Sequence, residues 1–132
     1  MNMLRVLTAS RKKGNIGERF AARILRKSGY KILKRNFVAA GHEIDIIAKK
    51  RDTVCFVEVK TRSEKENPAE PRPASSVGKK KQLSIISAAK IYAAFNTGKY
   101  KYLRFDIIEV YLKDGVPNRA EHLVDAYRLD SK

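Results

Sequence analysis

Apolar residues recur at helical spacing through residues 15–29. On a wheel of about 100° per residue, Ile16, Phe20, Ala21, Ala22, Ile24 and Leu25 share one wide arc, with Arg19, Arg23 and Arg26 opposite. Asn15 is placed to cap the start of this helix and Gly29 to close its end, while residues 1–13 read as a basic, irregular arm. One polar residue interrupts the apolar arc. Glu18 falls between Leu25 and Ala22, and a carboxylate turned toward a core needs a cation, a metal or backbone donors. Residues 30–38, 43–48 and 53–61 read as consecutive antiparallel strands joined by polar turns. Residues 63–77 carry three of the four prolines and read as a long surface loop. A second helix spans 79–95, its stripe of Ile85, Ile86, Ala89, Tyr92 and Ala93 having Gln82 near the centre. Residues 104–111 form a fourth strand and 122–129 a short fifth. The order αβββαβ with a terminal strand predicts one α/β domain over residues 1–132, a mixed sheet with helices on its faces.

Chemistry enters where the strand alternation carries charge. Period-two spacing puts Glu43, Asp45 and Ile47 on one face, and Val54, Phe56, Glu58, Lys60 and Arg62 on one face of the next strand. Asp45 and Glu58 then converge if the register allows. Glu58 and Lys60 follow an apolar core run, where charges cost stability unless they serve each other or a ligand. Two carboxylates suit a hard divalent cation, Mg²⁺ or Mn²⁺, and Lys60 is placed to neutralise a phosphate or orient an attacking water. Gln82 faces inward near the start of the second helix, and the run 79–81 of lysines makes that end attractive to anions.

Charge narrows the partner. The chain of 132 residues has 29 Lys and Arg against 14 Asp and Glu, a formal net charge of +15, which favours a polyanion. Residues 1–35 hold 11 basic and one acidic residue, residues 78–104 seven and none, and residues 105–132 four and six. That asymmetry describes a binding face more than uniform solubilising charge. No signal-like apolar start or run near the roughly 20 residues of a membrane span is evident, so a soluble, cytoplasmic protein without membrane contact is expected. The single cysteine, Cys55, lies in an apolar run and excludes a disulfide scaffold or a cysteine zinc site. Ser84, Ser87 and Thr61 lack a His/Asp relay, and no phosphate-binding loop is present, which argues against a serine hydrolase and an NTPase.

Together, Gly14-x-x-Gly-Glu18, Gly29-Tyr30, Glu43-Ile-Asp45, Phe56-Val-Glu-Val-Lys-Thr-Arg62, Lys81-Gln82 and Arg104-Phe-Asp106 resemble the YraN-type family of small bacterial proteins. That family is similar to a branch of the PD-(D/E)XK nuclease superfamily near archaeal Holliday-junction resolvases. The resemblance implies a restriction-endonuclease-like αβββαβ core. It implies that Asp45 and Glu58 ligate Mg²⁺ or Mn²⁺, that Lys60 assists a nucleophilic water, that Glu18 joins the metal shell, and that Gln82 is the polar residue on the helix after the motif. His42 departs from the small residue common before Glu-Ile-Asp. The expectation is a metal-dependent endonuclease-like protein acting on DNA more than RNA, on branched or repair intermediates. Arg11, Lys12, Lys13, Arg19, Arg23, Arg26, Lys79 and Lys80 would hold the nucleic-acid backbone, and a homodimer would cut two strands symmetrically. The alternative is a non-catalytic nucleic-acid-binding module of the same fold.

Plainer roles stand beside these. Asp45, Glu58 and Lys60 suit a structural ion pair, Gln82 a satisfied core amide, and Glu43 the ordering of the loop or a basic partner more than a metal. His42 and His122 read as surface residues, and Asp106 as a partner of Arg104.

Overall fold

Each strand predicted from alternation is present, and most run longer than the pattern alone indicates. A computed structural model describes residues 3–64 and 77–128, with side chains from residue 14 onward. In chain order the elements are α1 (Met3–Lys27), β1 (Lys31–Ala39), β2 (His42–Lys50), β3 (Thr53–Ser63), α2 (Lys79–Ala94), β4 (Tyr102–Lys113) and β5 (Val116–Tyr127). The five strands form one sheet in the order β1-β2-β3-β4-β5. All neighbours are antiparallel except β3 and β4, which run parallel because α2 carries the chain back across the sheet. The result is the expected mixed α/β architecture, compatible with a restriction-endonuclease-like core. Among the described residues, no helix is long and apolar enough to cross a membrane.

Two apolar layers flank the sheet. On one side Ala21, Ala22 and Leu25 of α1 pack against Ile46, Ala48, Cys55, Val57, Ile108 and Val110. On the other, Ile85, Ile86 and Ala89 of α2 cover Ile44, Ile47, Val54, Phe56, Phe105 and Ile107. Phe56, Phe105 and Tyr127 stack across the second face, with centroids 5.5 and 5.2 Å apart. Burial pushes the Cys55 thiol up to about 12, with the Asp106 charge adding to the shift, so the thiol behaves as an inert core group.

The first helix begins twelve residues before the expected Asn15, at Met3, in place of an irregular arm. Residues 3–13 are mostly good helix formers without proline, and a single Gly14 costs a helix only about 1 kcal/mol. The backbone at Arg11, Lys12 and Lys13 is therefore helical, while their side chains lie outside the described residues. Most of the loop expected at 63–77 also lies outside. At the other end of α1 the expected glycine stop is present. Gly29 adopts φ 91°, the amide of Tyr30 donates to the Leu25 carbonyl at 2.9 Å, and that of Gly29 donates to Arg26 at 3.1 Å.

A polar cluster ties the turn between α1 and β1 to β4 and β5. Asp106 is fully buried and receives Arg104 Nε at 2.9 Å, Arg104 Nη2 at 2.8 Å and the Asp125 amide at 3.0 Å. His122 Nε2 lies 2.8 Å from the same carboxylate, and Arg104 also donates to Tyr30 Oη at 2.6 Å. Burial works to raise the Asp106 carboxyl, but these partners hold it below the ordinary range. Asp106 thus pairs with Arg104 as expected. His122 is drawn inward from the surface position the sequence suggested.

Where α1 crosses β3, Gly17 is buried against Thr61. A Cβ added there would lie 3.0 Å from Thr61 Cβ and nearer still to its hydroxyl. Alanine's helix preference is worth about 1 kcal/mol, whereas overpacking typically costs about 1–3 kcal/mol. Gly17→Ala is therefore expected to be destabilising, measurable as a lower melting temperature, and Thr61→Ala in the same chain should recover part of the loss. A single variant that melts with the wild type would contradict this close approach.

Candidate metal centre

The centre forms where β2 leaves regular pairing. The β2–β3 ladder runs from Lys50↔Thr53 to Ile46↔Val57, and just beyond it Asp45 Oδ2 accepts the Val59 amide at 2.8 Å. Strict alternation would put Ile44 and Ile46 on one face, yet Ile44 packs in the α2-side core and Ile46 in the α1-side core. The regular alternation expected for Glu43, Asp45 and Ile47 is thus broken at Asp45. Opposite the break, Arg35 pairs with Ile46 and Phe37 with Ile44, and Asn36 between them has φ 54°. Asparagine tolerates that left-handed conformation better than most residues.

Three carboxylates meet at this irregularity. Glu18 of α1, Glu43 and Asp45 each offer an oxygen within 4.8 Å of the other two. The Asn36 amide bridges two of them, with Nδ2 3.2 Å from Glu18 Oε2 and 2.9 Å from Glu43 Oε1. Arg35 Nη2 stands 3.6 Å from Glu18 Oε2. Burial first, then the charges of Glu58 and Glu18, push the Asp45 carboxyl up to about 8 against the opposing Val59 hydrogen bond.

Glu58 approaches from β3. It is buried on the α2 side, and its Oε1 lies 2.7 Å from Lys81 Nζ in the first turn of α2. Burial opposes the charge on Lys81, but Glu58 holds it above the ordinary lysine range. Lys60 is lowered by burial and by the nearby Lys81 ammonium, so it gives up its proton more readily than an exposed lysine.

The sequence-derived residues fall into three groups. Glu18 and Asp45 meet in the three-carboxylate group, Glu58 acts on Asp45 electrostatically from outside that group, and Lys60 lies next to the Lys81–Glu58 pair. Glu43 combines both readings, since it lies in the carboxylate cluster and also orders β1 through Asn36. Gln82 is half-buried, and its Nε2 donates to the Val77 carbonyl at 2.8 Å, fixing the approach to α2. Arg19, Arg23 and Arg26 are exposed along α1, and Lys79 and Lys80 at the start of α2. His42 is half-buried, unlike its expected surface position. Sequence reasoning missed Asn36, Arg35 and Lys81 as parts of the centre. Asn36 had one usable signal, a turn-favouring residue in the middle of an otherwise regular strand.

The donor set fits a metal. Carboxylate oxygens alone, without nitrogen or sulfur, match Mg²⁺, Mn²⁺ or Ca²⁺. Asp45 gains from either a proton or a cation. A separate cleft of about 480 Å³, lined by Thr53, Tyr102, Arg104, Asp125 and Arg128 among others, opens at the opposite end of β3 and contains none of these carboxylates.

The sequence pattern of the Uncharacterised protein family UPF0102 matches residues 17–110, a span that includes Glu18, Asp45, Glu58, Lys60 and Lys81. The chain is 40% identical over 116 residues to a UPF0102 protein of Caldanaerobacter subterraneus subsp. tengcongensis, covering 86% of this chain and 93% of that one. It is 41% identical over 118 residues to one of Clostridioides difficile, covering 89% and 98%. A UPF0102 protein of Caldicellulosiruptor bescii is 44% identical over 106 residues, covering 80% and 86%.

Two outcomes test the centre. A carboxyl raised to about 8 in the folded state holds a proton the unfolded chain loses near 4, so its contribution to stability declines as pH rises through that window. In metal-free buffer, Asp45→Asn should therefore be more stable than the wild type at pH 8, by about 1–3 kcal/mol, with the gap closing toward pH 4. Parallel pH profiles would contradict a protonated Asp45. Asn36→Gly keeps the left-handed backbone and removes the bridging amide. It should weaken divalent-cation binding about tenfold, in the range of outer-shell substitutions, as read by calorimetry; unchanged affinity would show that the bridge is dispensable.

Proposed function

The chain belongs to the uncharacterised protein family UPF0102, the YraN-type group, and we propose that it is a metal-dependent endonuclease-like protein that binds and cleaves DNA. The observation that carries this reading is the gathering of Glu18, Glu43 and Asp45 at one break in the sheet, with Glu58 acting on Asp45 electrostatically and Lys60 and Lys81 beside Glu58. Glu18, Asp45 and Glu58 would hold Mg²⁺ or Mn²⁺, with Glu43 completing the acidic wall. Such an ion supplies Lewis-acid polarisation of a phosphodiester and lowers the pKa of an attacking water.

The protein's own groups do the rest. Lys60, its proton affinity reduced by burial and by Lys81, is suited to exchange a proton with that water or to offset charge developing on the phosphate. Gln82 holds the Val77 carbonyl and so sets where α2 begins. Exposed Arg19, Arg23, Arg26, Lys79 and Lys80, with Arg11, Lys12 and Lys13, would bind the phosphate backbone without reading sequence. DNA is favoured over RNA, with branched or repair intermediates among the candidate substrates. Symmetric cutting of two strands would need two copies of the chain.

One observation favours a second reading, a nucleic-acid-binding module without turnover: Lys81 already occupies an oxygen of Glu58. Matched single-stranded, duplex, flap and four-way DNA, incubated with Mg²⁺ or Mn²⁺, separate the two. The wild type should cut at least one substrate, and Glu58→Ala and Lys60→Ala should each lose about 100-fold or more in rate. Salt-sensitive binding with no cutting by the wild type would support the second reading, and no binding at moderate salt would overturn both.

A further inference from the structure

Lys81 stands in a position that the metal and phosphate roles above leave unassigned. Its Nζ lies 2.7 Å from Oε1 of Glu58, and the two side chains differ sharply in exposure, 40% for the lysine and 9% for the glutamate. The carboxylate is fixed in the core while the ammonium reaches it from the solvent side. Gly78 caps α2 without a side-chain hydrogen bond, and the first turn contains no acidic residue. Lys79 and Lys80 are exposed beside Lys81, whose ammonium alone of the three is drawn to Glu58 among the described contacts.

We infer that Lys81 is an exchangeable counter-ion, holding Glu58 in the metal-free protein and turning to a backbone phosphodiester of the nucleic acid when a divalent cation takes its place. The inference rests on the metal-site reading of the previous subsection. Its consequence is that metal and nucleic acid bind with positive coupling.

The charges at the centre support the exchange. Among the described residues, Glu18, Glu43, Asp45 and Glu58 are opposed by Arg35, Lys60 and Lys81, balanced while Asp45 keeps its proton and one cation short once Asp45 is ionised to take a metal. A divalent ion reverses this to an excess of one positive charge, which the single charge of a phosphodiester matches. Until that ion arrives Lys81 cannot leave cheaply, because a buried carboxylate stripped of its partner is strongly disfavoured. Once it has arrived, Lys81 and Lys60 repel each other across a site where both were previously offset by Glu58. Lysine suits such a move, since a point charge on a flexible four-carbon stem can change partner by rotamer. The bidentate Arg104–Asp106 pair on the other face is built to stay closed.

The full-length chain tests this with Ca²⁺ followed by calorimetry and a fluorescent duplex followed by anisotropy, each probe with and without the other. In the wild type, Ca²⁺ should tighten DNA binding about tenfold. Lys81→Gln should bind Ca²⁺ several-fold more tightly without DNA, and its Ca²⁺-dependent gain in DNA affinity should fall to about twofold or less. Lys81→Arg, which keeps the charge and guards against loss of folding, should retain part of the coupling. Lys90→Gln, an exposed change on the same helix, should leave the coupling at the wild-type value. If Lys81→Gln binds Ca²⁺ no more tightly than the wild type, or keeps the full coupling, the exchange is overturned while the metal site stands. If the wild type itself takes up neither Ca²⁺ nor Mn²⁺, the metal-site reading falls and the exchange falls with it.

Discussion

Carboxylates cannot be gathered out of water without a counter-charge, and the carboxylate cluster of this structure is organised around that constraint. Asp45 is pressed upward by burial and by its acidic neighbours, and the molecule answers with local devices. The Val59 amide binds Asp45, Asn36 bridges Glu18 and Glu43, Arg35 approaches Glu18, and Lys81 reaches Glu58. These devices restrain the cluster and leave Asp45 favouring a proton or a cation.

A second aspartate, two strands away in the same sheet, shows the contrast. Asp106 is just as surely inside, yet two guanidinium hydrogen bonds, His122 and a backbone amide satisfy it, and its carboxyl stays low. Asp45 and Asp106 are both aspartates on strands of one sheet, and their environments drive them in opposite directions. A completed network marks Asp106 as a structural clasp. The raised Asp45 carboxyl is the pattern expected of a functional group.

Much of this was legible in the sequence. Helical and alternating periods located α2 and all five strands, and Gly29 marked the end of α1, because burial of one face leaves its period in the chain. Glu18 stood out as the one acid in the apolar arc of its helix, and Glu58-x-Lys60 as charges at the end of a core strand. What escaped was whatever depends on departures from regularity. The break at Asp45, which sends Ile44 and Ile46 to opposite faces, cannot be read from a period that assumes no break. Asn36 and Lys81 owe their roles to register and to the crossover through α2, which brings together residues distant in sequence. The early start of α1 was missed because a basic segment reads as solvated arm whether or not its backbone is helical.

The central claim is that Asp45 and the carboxylates around it form a divalent-cation site. Crystals grown at pH 8 with Mn²⁺ and examined by anomalous scattering test it most directly. The account predicts a peak within coordination distance of Asp45 and at least two of Glu18, Glu43 and Glu58. Occupied Mn²⁺ elsewhere on the molecule, with no peak at Asp45, would contradict it.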